Sequence, residues 1–208
     1  MNRIRTLASL WLAVVMLLPI SQVSAEGYAQ TRYPIVLVHG TFGFSKLGPV
    51  DYWYGIPQDM ASHGADVHGV QVSPFGRSEM RGEQVLEAVE EILAITGADK
   101  VNLIGHSQGG PTVRYVAGVA PDKIASVTTI GSPTYGTRIV DLVIESLQTP
   151  VIGGVVNSIM ELVTTAYNKL LEMLSGKTLP RDPNGTLYSL SAVGAQEFNE
   201  NFPAGVPT

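Results

Sequence analysis

Cysteine is absent from all 208 residues. No disulfide framework can staple the fold and no thiol can serve as nucleophile or metal ligand, so stability rests on an apolar core. Basic residues are in the minority, 13 Lys and Arg against 18 Asp and Glu, which removes the basic surface that a nucleic-acid partner would require. Histidine is scarce. The four present, His39, His63, His68 and His106, all lie in the first 106 residues. No segment is repetitive or of low complexity, and the composition is that of one cored domain with no room for a second.

What is present begins with Arg3 and Arg5, an apolar run over residues 7–20, and the small residues Val23-Ser24-Ala25 before Glu26. That order predicts a secretory signal peptide over residues 1–25, cleaved after Ala25, because the run is short for a bilayer-spanning helix and has no stop-transfer charges. Cleavage removes two basic residues and no acidic one, leaving 11 against 18 and a formal charge of −7. The expected mature chain, residues 26–208, is exported and has no transmembrane span.

Ile35-Val36-Leu37-Val38 is a β-branched apolar run ended by His39-Gly40, the pattern of a strand buried on both faces. Residues 51–63 predict a short helix, and residues 65–73 a second strand around Val67, Val70 and Val72. From residue 79 to 96, Val85, Leu86, Val89, Ile92 and Leu93 recur at helical spacing. Glu83, Glu87, Glu90 and Glu91 form the solvated face, and Gly97 is the C-cap. Residues 100–104 predict a strand, 111–120 a helix and 127–130 a further strand. Alternating strands and helices imply crossovers and a doubly wound, mainly parallel α/β sheet, with chemistry at the carboxyl ends of its strands.

At one such end stands Gly105-His106-Ser107-Gln108-Gly109, between a buried strand and a helix. A serine hydroxyl is a poor nucleophile unless held clear of the sheet, near a base, with N–H donors aimed at the developing oxyanion. A G-x-S-x-G turn in this context supplies that geometry, whereas the bare string also describes an ordinary turn serine. Ser107 is the candidate nucleophile. The backbone N–H groups of Thr41, in the loop after the first strand, and of Gln108 are the candidate oxyanion hole, with side chains at both positions expected to be free to vary. His39 precedes the donor in its turn and is expected to pack locally rather than act as a base.

Several stretches together carry a resemblance to a known family: residues 33–40 (Tyr33-Pro34-Ile35-Val36-Leu37-Val38-His39-Gly40), Asp51-Tyr52-Trp53-Tyr54-Gly55-Ile56-Pro57, Arg81-Gly82-Glu83-Gln84, and residues 101–111 around Ser107. The chain resembles the bacterial secreted triacylglycerol lipases of pseudomonad type, members of the α/β-hydrolase superfamily, from about residue 28 onward and more weakly after Tyr135. The resemblance implies an α/β-hydrolase fold, hydrolysis of long-chain acylglycerols at a lipid–water interface, secretion through the periplasm and a foldase chaperone as possible partner. It gives Ser107, Thr41 and Gln108 the same roles.

Chain order in that fold is nucleophile, then acid, then histidine. No histidine follows Ser107. Asp122, Asp141 and Asp182 do, but Asp182 in Arg181-Asp182-Pro183-Asn184-Gly185 has the sequence of a turn, and the others suit a surface. The C-terminal part of the fold is therefore expected to be missing, with no strand or helix signal at residues 205–208, and with it the triad acid and histidine and the family's calcium site and disulfide. No cofactor and no metal site is expected within these residues. A broad apolar stripe over residues 149–176, with charge limited to Glu161, Lys169 and Glu172, fits a core helix or a lid over an acyl site. Its position after the sheet favours the lid. The alternatives to a lipase are a lipid-surface binder without turnover and an esterase or thioesterase on the same fold.

Overall fold

A computed structural model of the chain describes residues 27–176 and 178–203. The expected signal peptide and the last residues of the chain lie outside them. The chain order is β1 (Ile35–Val38), β2 (Lys46–Leu47), β3 (Val50–Asp51), α1 (Ile56–Ser62), β4 (Val67–Val70), α2 (Ser78–Thr96), β5 (Val101–His106), α3 (Gly109–Val119) and β6 (Ile124–Ile130). Four helices follow: α4 (Arg138–Leu147), α5 (Pro150–Ser175), α6 (Pro183–Leu190) and α7 (Ala192–Asn201).

The sheet runs β4-β1-β5-β6 with every pairing parallel, which requires the crossovers that α2 and α3 provide. Period-two alternation in β1 sorts its side chains. Val36 and Val38 face α2 and α3, where Val85, Val89, Val113 and Val116 pack with them and with Leu103 of β5. Ile35 and Leu37 face the other way, against Trp53 and Ala65. Each such fully buried Val or Leu stabilises the fold by roughly 1.5–3 kcal/mol relative to exposure. The β1 strand is thus central, as its unbroken apolar run suggested.

Gly97 ends α2 with φ 70°, its N–H bonded to Leu93 O. Both the helix and its cap follow the sequence pattern. The first helix is shorter than residues 51–63, because Val50 and Asp51 pair with β2 in a small antiparallel ribbon. At the opposite edge, β6 pairs only with β5 among the described residues, and its carboxyl-terminal half is exposed.

The C-terminal region departs most from expectation. Asp182 is an N-cap rather than a turn residue: its Oδ1 accepts the Gly185 N–H at 2.8 Å and Pro183 occupies the first helical turn. Ser191 caps α7 in the same way, accepting from Gly194 N–H. Thr186 Oγ1 and Ser189 Oγ receive the N–H groups of Gly76 and Ser78, tying α6 to the loop that opens α2. Arg114 of α3 holds α7 through Asn199 Oδ1 and Phe202 O.

Candidate active site

The β5 strand delivers the chain into a reversal at Ser107, and α3 leaves it at once. Ser107 has φ 53°, in the left-handed region. For a residue with a Cβ this costs on the order of 1–3 kcal/mol and persists only when neighbours impose it. Here Ser107 N–H bonds Ile130 O at 2.9 Å and Ser107 O receives Gly110 N–H at 2.9 Å. The flanking glycines are required by close approach. A methyl on Gly105 would land on the Gly109 carbonyl, and one on Gly109 would meet the Val38 carbonyl of β1. Gly40 lies against the serine itself, its would-be Cβ 2.7 Å from Ser107 Cβ. Among the described residues nothing hydrogen-bonds Ser107 Oγ.

The loop from β1 faces this turn. Gly40 N–H donates to Tyr52 Oη at 3.2 Å, Phe42 N–H to Pro74 O at 3.2 Å and Gly43 N–H to Gly40 O at 3.1 Å. The N–H groups of Thr41 and Gln108 have no hydrogen-bond acceptor among the described residues. Their side chains are far from free to vary, which corrects the expectation above. Thr41 Oγ1 donates to Gln108 Oε1 at 2.7 Å, so the two residues are bonded directly to each other. Gln108 Nε2 donates to Gly76 O at 2.7 Å, which fixes the orientation of the amide.

Arg81 completes this junction. It is wholly buried, with Nη1 donating to Gln108 Oε1 at 2.5 Å and Nη2 to His39 O. Burial pulls its pKa down to about 9, so it remains a cation at neutral pH. Sequence reasoning used Arg81 only as part of a resemblance, yet a signal was present. Arg81 lies four residues before Val85 and eight before Val89, on the apolar face of α2, where an isolated charge needs a partner. All three are buried.

The histidines are accounted for. His39 is buried, with Nδ1–H donating to Gly40 O at 2.9 Å and Nε2 accepting Val72 N–H at 3.3 Å. Burial, followed by the Arg81 charge, pushes its pKa down to about 3, so it stays neutral and packs locally. His106 Nδ1 bonds Tyr52 Oη at 2.6 Å. His63 and His68 pair with Asp59 and Asp66, next to α1 and β4. Asp141 Oδ1 accepts Ala192 N–H at 3.0 Å, a contact between α4 and α7. No group of three or more His, Asp or Glu able to hold a metal ion exists among the described residues.

Beside the site, α4 and α5 meet at a bend of 116°. On α5 only Gly153, Thr164 and Leu171 are buried, and on α4 nothing is. Ile139 is 74% exposed, Leu162 71% and Met173 74%. No single helix among the described residues is long and apolar enough to cross a membrane.

A parallel sheet with a left-handed serine at its β5–α3 corner is the arrangement of a hydrolase scaffold, and the sequence profile of the alpha/beta hydrolase fold matches residues 33–150. The chain belongs to that family. It is 50% identical over 187 residues to the triacylglycerol lipase of Vibrio cholerae, covering 89% of this chain and 59% of that protein. To the triacylglycerol lipase of Burkholderia plantarii it is 45% identical over 193 residues, covering 88% and 51%. The chain thus spans a little over half the length of these relatives. Among solved structures, a Bacillus licheniformis lipase in mature form superposes with a TM-score of 0.56 at 21% identity, covering 82% of this chain and 59% of that one, a likeness of fold.

Proposed function

We propose that the protein is a secreted carboxylester hydrolase acting on triacylglycerols, with Ser107 as nucleophile through an acyl-enzyme, the Thr41 and Gln108 N–H groups as oxyanion hole, and α5 as a lid. The observation that carries this is the φ of 53° at Ser107, a strain held by glycine-lined contacts at the carboxyl end of a central strand. Two backbone N–H groups with no acceptor among the described residues, on residues whose side chains bond each other, suit a pre-organised hole, and the buried Arg81 cation that bonds Gln108 favours negative charge nearby. The similarity to the Vibrio cholerae and Burkholderia plantarii lipases supports acylglycerols as substrate.

Among the described residues no histidine hydrogen-bonds Ser107. Loss of the base can lower turnover by about a factor of a million, leaving roughly a thousandfold over water from the oxyanion hole and binding. Activity of the 208-residue chain alone is therefore expected to be negligible, and added imidazole is expected to restore it in part. Hydrolysis of p-nitrophenyl butyrate should rise with imidazole more steeply for the native chain than for Ser107→Ala. A second reading, a lipid-surface binder without turnover, is favoured by the exposed apolar faces of α4 and α5. It predicts identical imidazole dependence in the two proteins, and that result would refute the catalytic role of Ser107.

A further inference from the structure

Two consecutive peptide groups carry the loop from β1 past Ser107, and three of their four polar groups are bonded. In the first, His39 O accepts from Arg81 Nη2 and Gly40 N–H donates to Tyr52 Oη at 3.2 Å. In the second, Gly40 O accepts from His39 Nδ1 at 2.9 Å and from Gly43 N–H at 3.1 Å. The fourth group is the Thr41 N–H, which has no acceptor among the described residues and lies in the same plane as Gly40 O. Its direction therefore follows from how Gly40 is held. Glycine leaves φ and ψ unrestrained, and glycine is required here because a Cβ would stand 2.7 Å from Ser107 Cβ. The restraint that a side chain would give has to come from outside, and on the N–H side it is the Tyr52 hydroxyl.

Tyr52 is itself fixed. Its backbone N–H donates to Ser45 O at 3.2 Å, and its ring lies 5.6 Å from Trp53 and 6.0 Å from Phe44, edge-on to both. A phenylalanine would keep those ring contacts, so the hydroxyl is what the tyrosine adds. That hydroxyl also bonds His106 Nδ1 at 2.6 Å, and His106 immediately precedes Ser107. An N–H can only donate, so Gly40 occupies a lone pair of Oη and the one phenol proton goes to Nδ1. Neutral His106 then carries its own proton on Nε2, which has no hydrogen-bond partner among the described residues. We infer that Tyr52 is a positioning residue whose hydroxyl, accepting from Gly40 N–H and donating to His106 Nδ1, ties the loop to the Ser107 turn and sets the direction of the Thr41 N–H. Gly40 is thereby tied to the residue before Ser107, as Thr41 is tied to Gln108 after it. The catalytic consequence rests on the assignment of Thr41 as an oxyanion donor, whereas the bridge itself does not.

Hydrogen exchange and NMR on the whole chain test the bridge without needing turnover. In Tyr52→Phe the Gly40 amide is expected to exchange about fivefold faster, the equivalent of one hydrogen bond, and the Thr41 amide resonance to shift, while amides of α2 and α3 stay unchanged. His106→Phe keeps a ring beside Trp53 and removes the acceptor. It is expected to speed Gly40 exchange about twofold, and the double variant to match Tyr52→Phe alone, because His106 acts on Gly40 only through Tyr52. Nitrogen spectra of the native chain at about pH 8, above the ordinary histidine range, should place the His106 proton on Nε2. Gly40 exchange unchanged in Tyr52→Phe, effects of the two substitutions that add, or a proton on Nδ1 overturns the inference. The catalytic consequence is read separately. Imidazole-supported, Ser107-dependent hydrolysis should fall about tenfold in Tyr52→Phe, short of the loss of a whole oxyanion donor, and an unchanged rate would sink that consequence. Faster Gly40 exchange in the variant, with no Ser107-dependent hydrolysis in the native chain, would keep the bridge and overturn the hydrolase reading instead.

Discussion

Arg81 and His39 show how much of the site is built from groups that never meet a substrate. Arg81 spans Gln108 and the carbonyl of His39 with a planar fork, a geometry that lysine cannot reproduce. Arg81→Lys is expected to lower stability by about 2–3 kcal/mol, because it leaves buried acceptors short of donors. Arg81→Met, which also empties donors from the junction, should cost no less. Chemical denaturation measures both, and a Lys variant as stable as the native chain would remove Arg81 from this role. His39 gives a pH signature. Its folded pKa of about 3 lies below the ordinary value near 6.5, so the unfolded chain binds the proton first as pH falls. Stability from this group is fully present above about 6.5 and is lost as pH drops toward 3, at no more than about 1.4 kcal/mol per pH unit. The pH dependence of the denaturation midpoint in His39→Asn should be flatter across that window.

At the scale of elements, what was legible depended on where packing met periodicity. The β1 strand and α2 are written in apolar runs and in a one-sided stripe, and each packs on the sheet as those patterns demand. The Ser107 turn was legible for a similar reason: its glycines mark close approaches that no other residue permits. The Thr41–Gln108–Arg81 junction was not, because hydrogen bonds between residues 67 positions apart leave no periodic trace. The α6 and α7 helices were hidden by their polar starts, where Asp182 and Ser191 cap helices in segments whose composition suits loops. For α5 the stripe predicted a helix and one was found at Pro150–Ser175, but most of the stripe is open rather than buried. Replacing Leu162 and Met173 by serine is therefore expected to change stability by less than about 0.5 kcal/mol. The same change should weaken binding to neutral phospholipid vesicles severalfold, as measured by co-sedimentation. Undiminished vesicle binding would show that α5 is not the lipid-facing element.

At the scale of the molecule, the α2–α3 side of the sheet is sealed, and among the described residues the β6 edge and the α4–α5 surface are open. An exposed parallel edge beside exposed apolar helices is a template for association. The 208-residue chain is expected to self-associate with rising concentration, and Thr128→Lys on the exposed part of β6 should raise the concentration at which light scattering increases. No change in that threshold would place the association on the helices instead. The Arg81 junction also bears on how the molecule comes to be folded. It gathers the β1 loop, the loop before α2, α2 itself and the β5–α3 corner into one set of contacts, and it cannot close until the chain between them has been looped and docked. Substitutions there should speed unfolding far more than they slow folding, so a newly made chain would acquire its sheet first and the backbone geometry of Ser107 last.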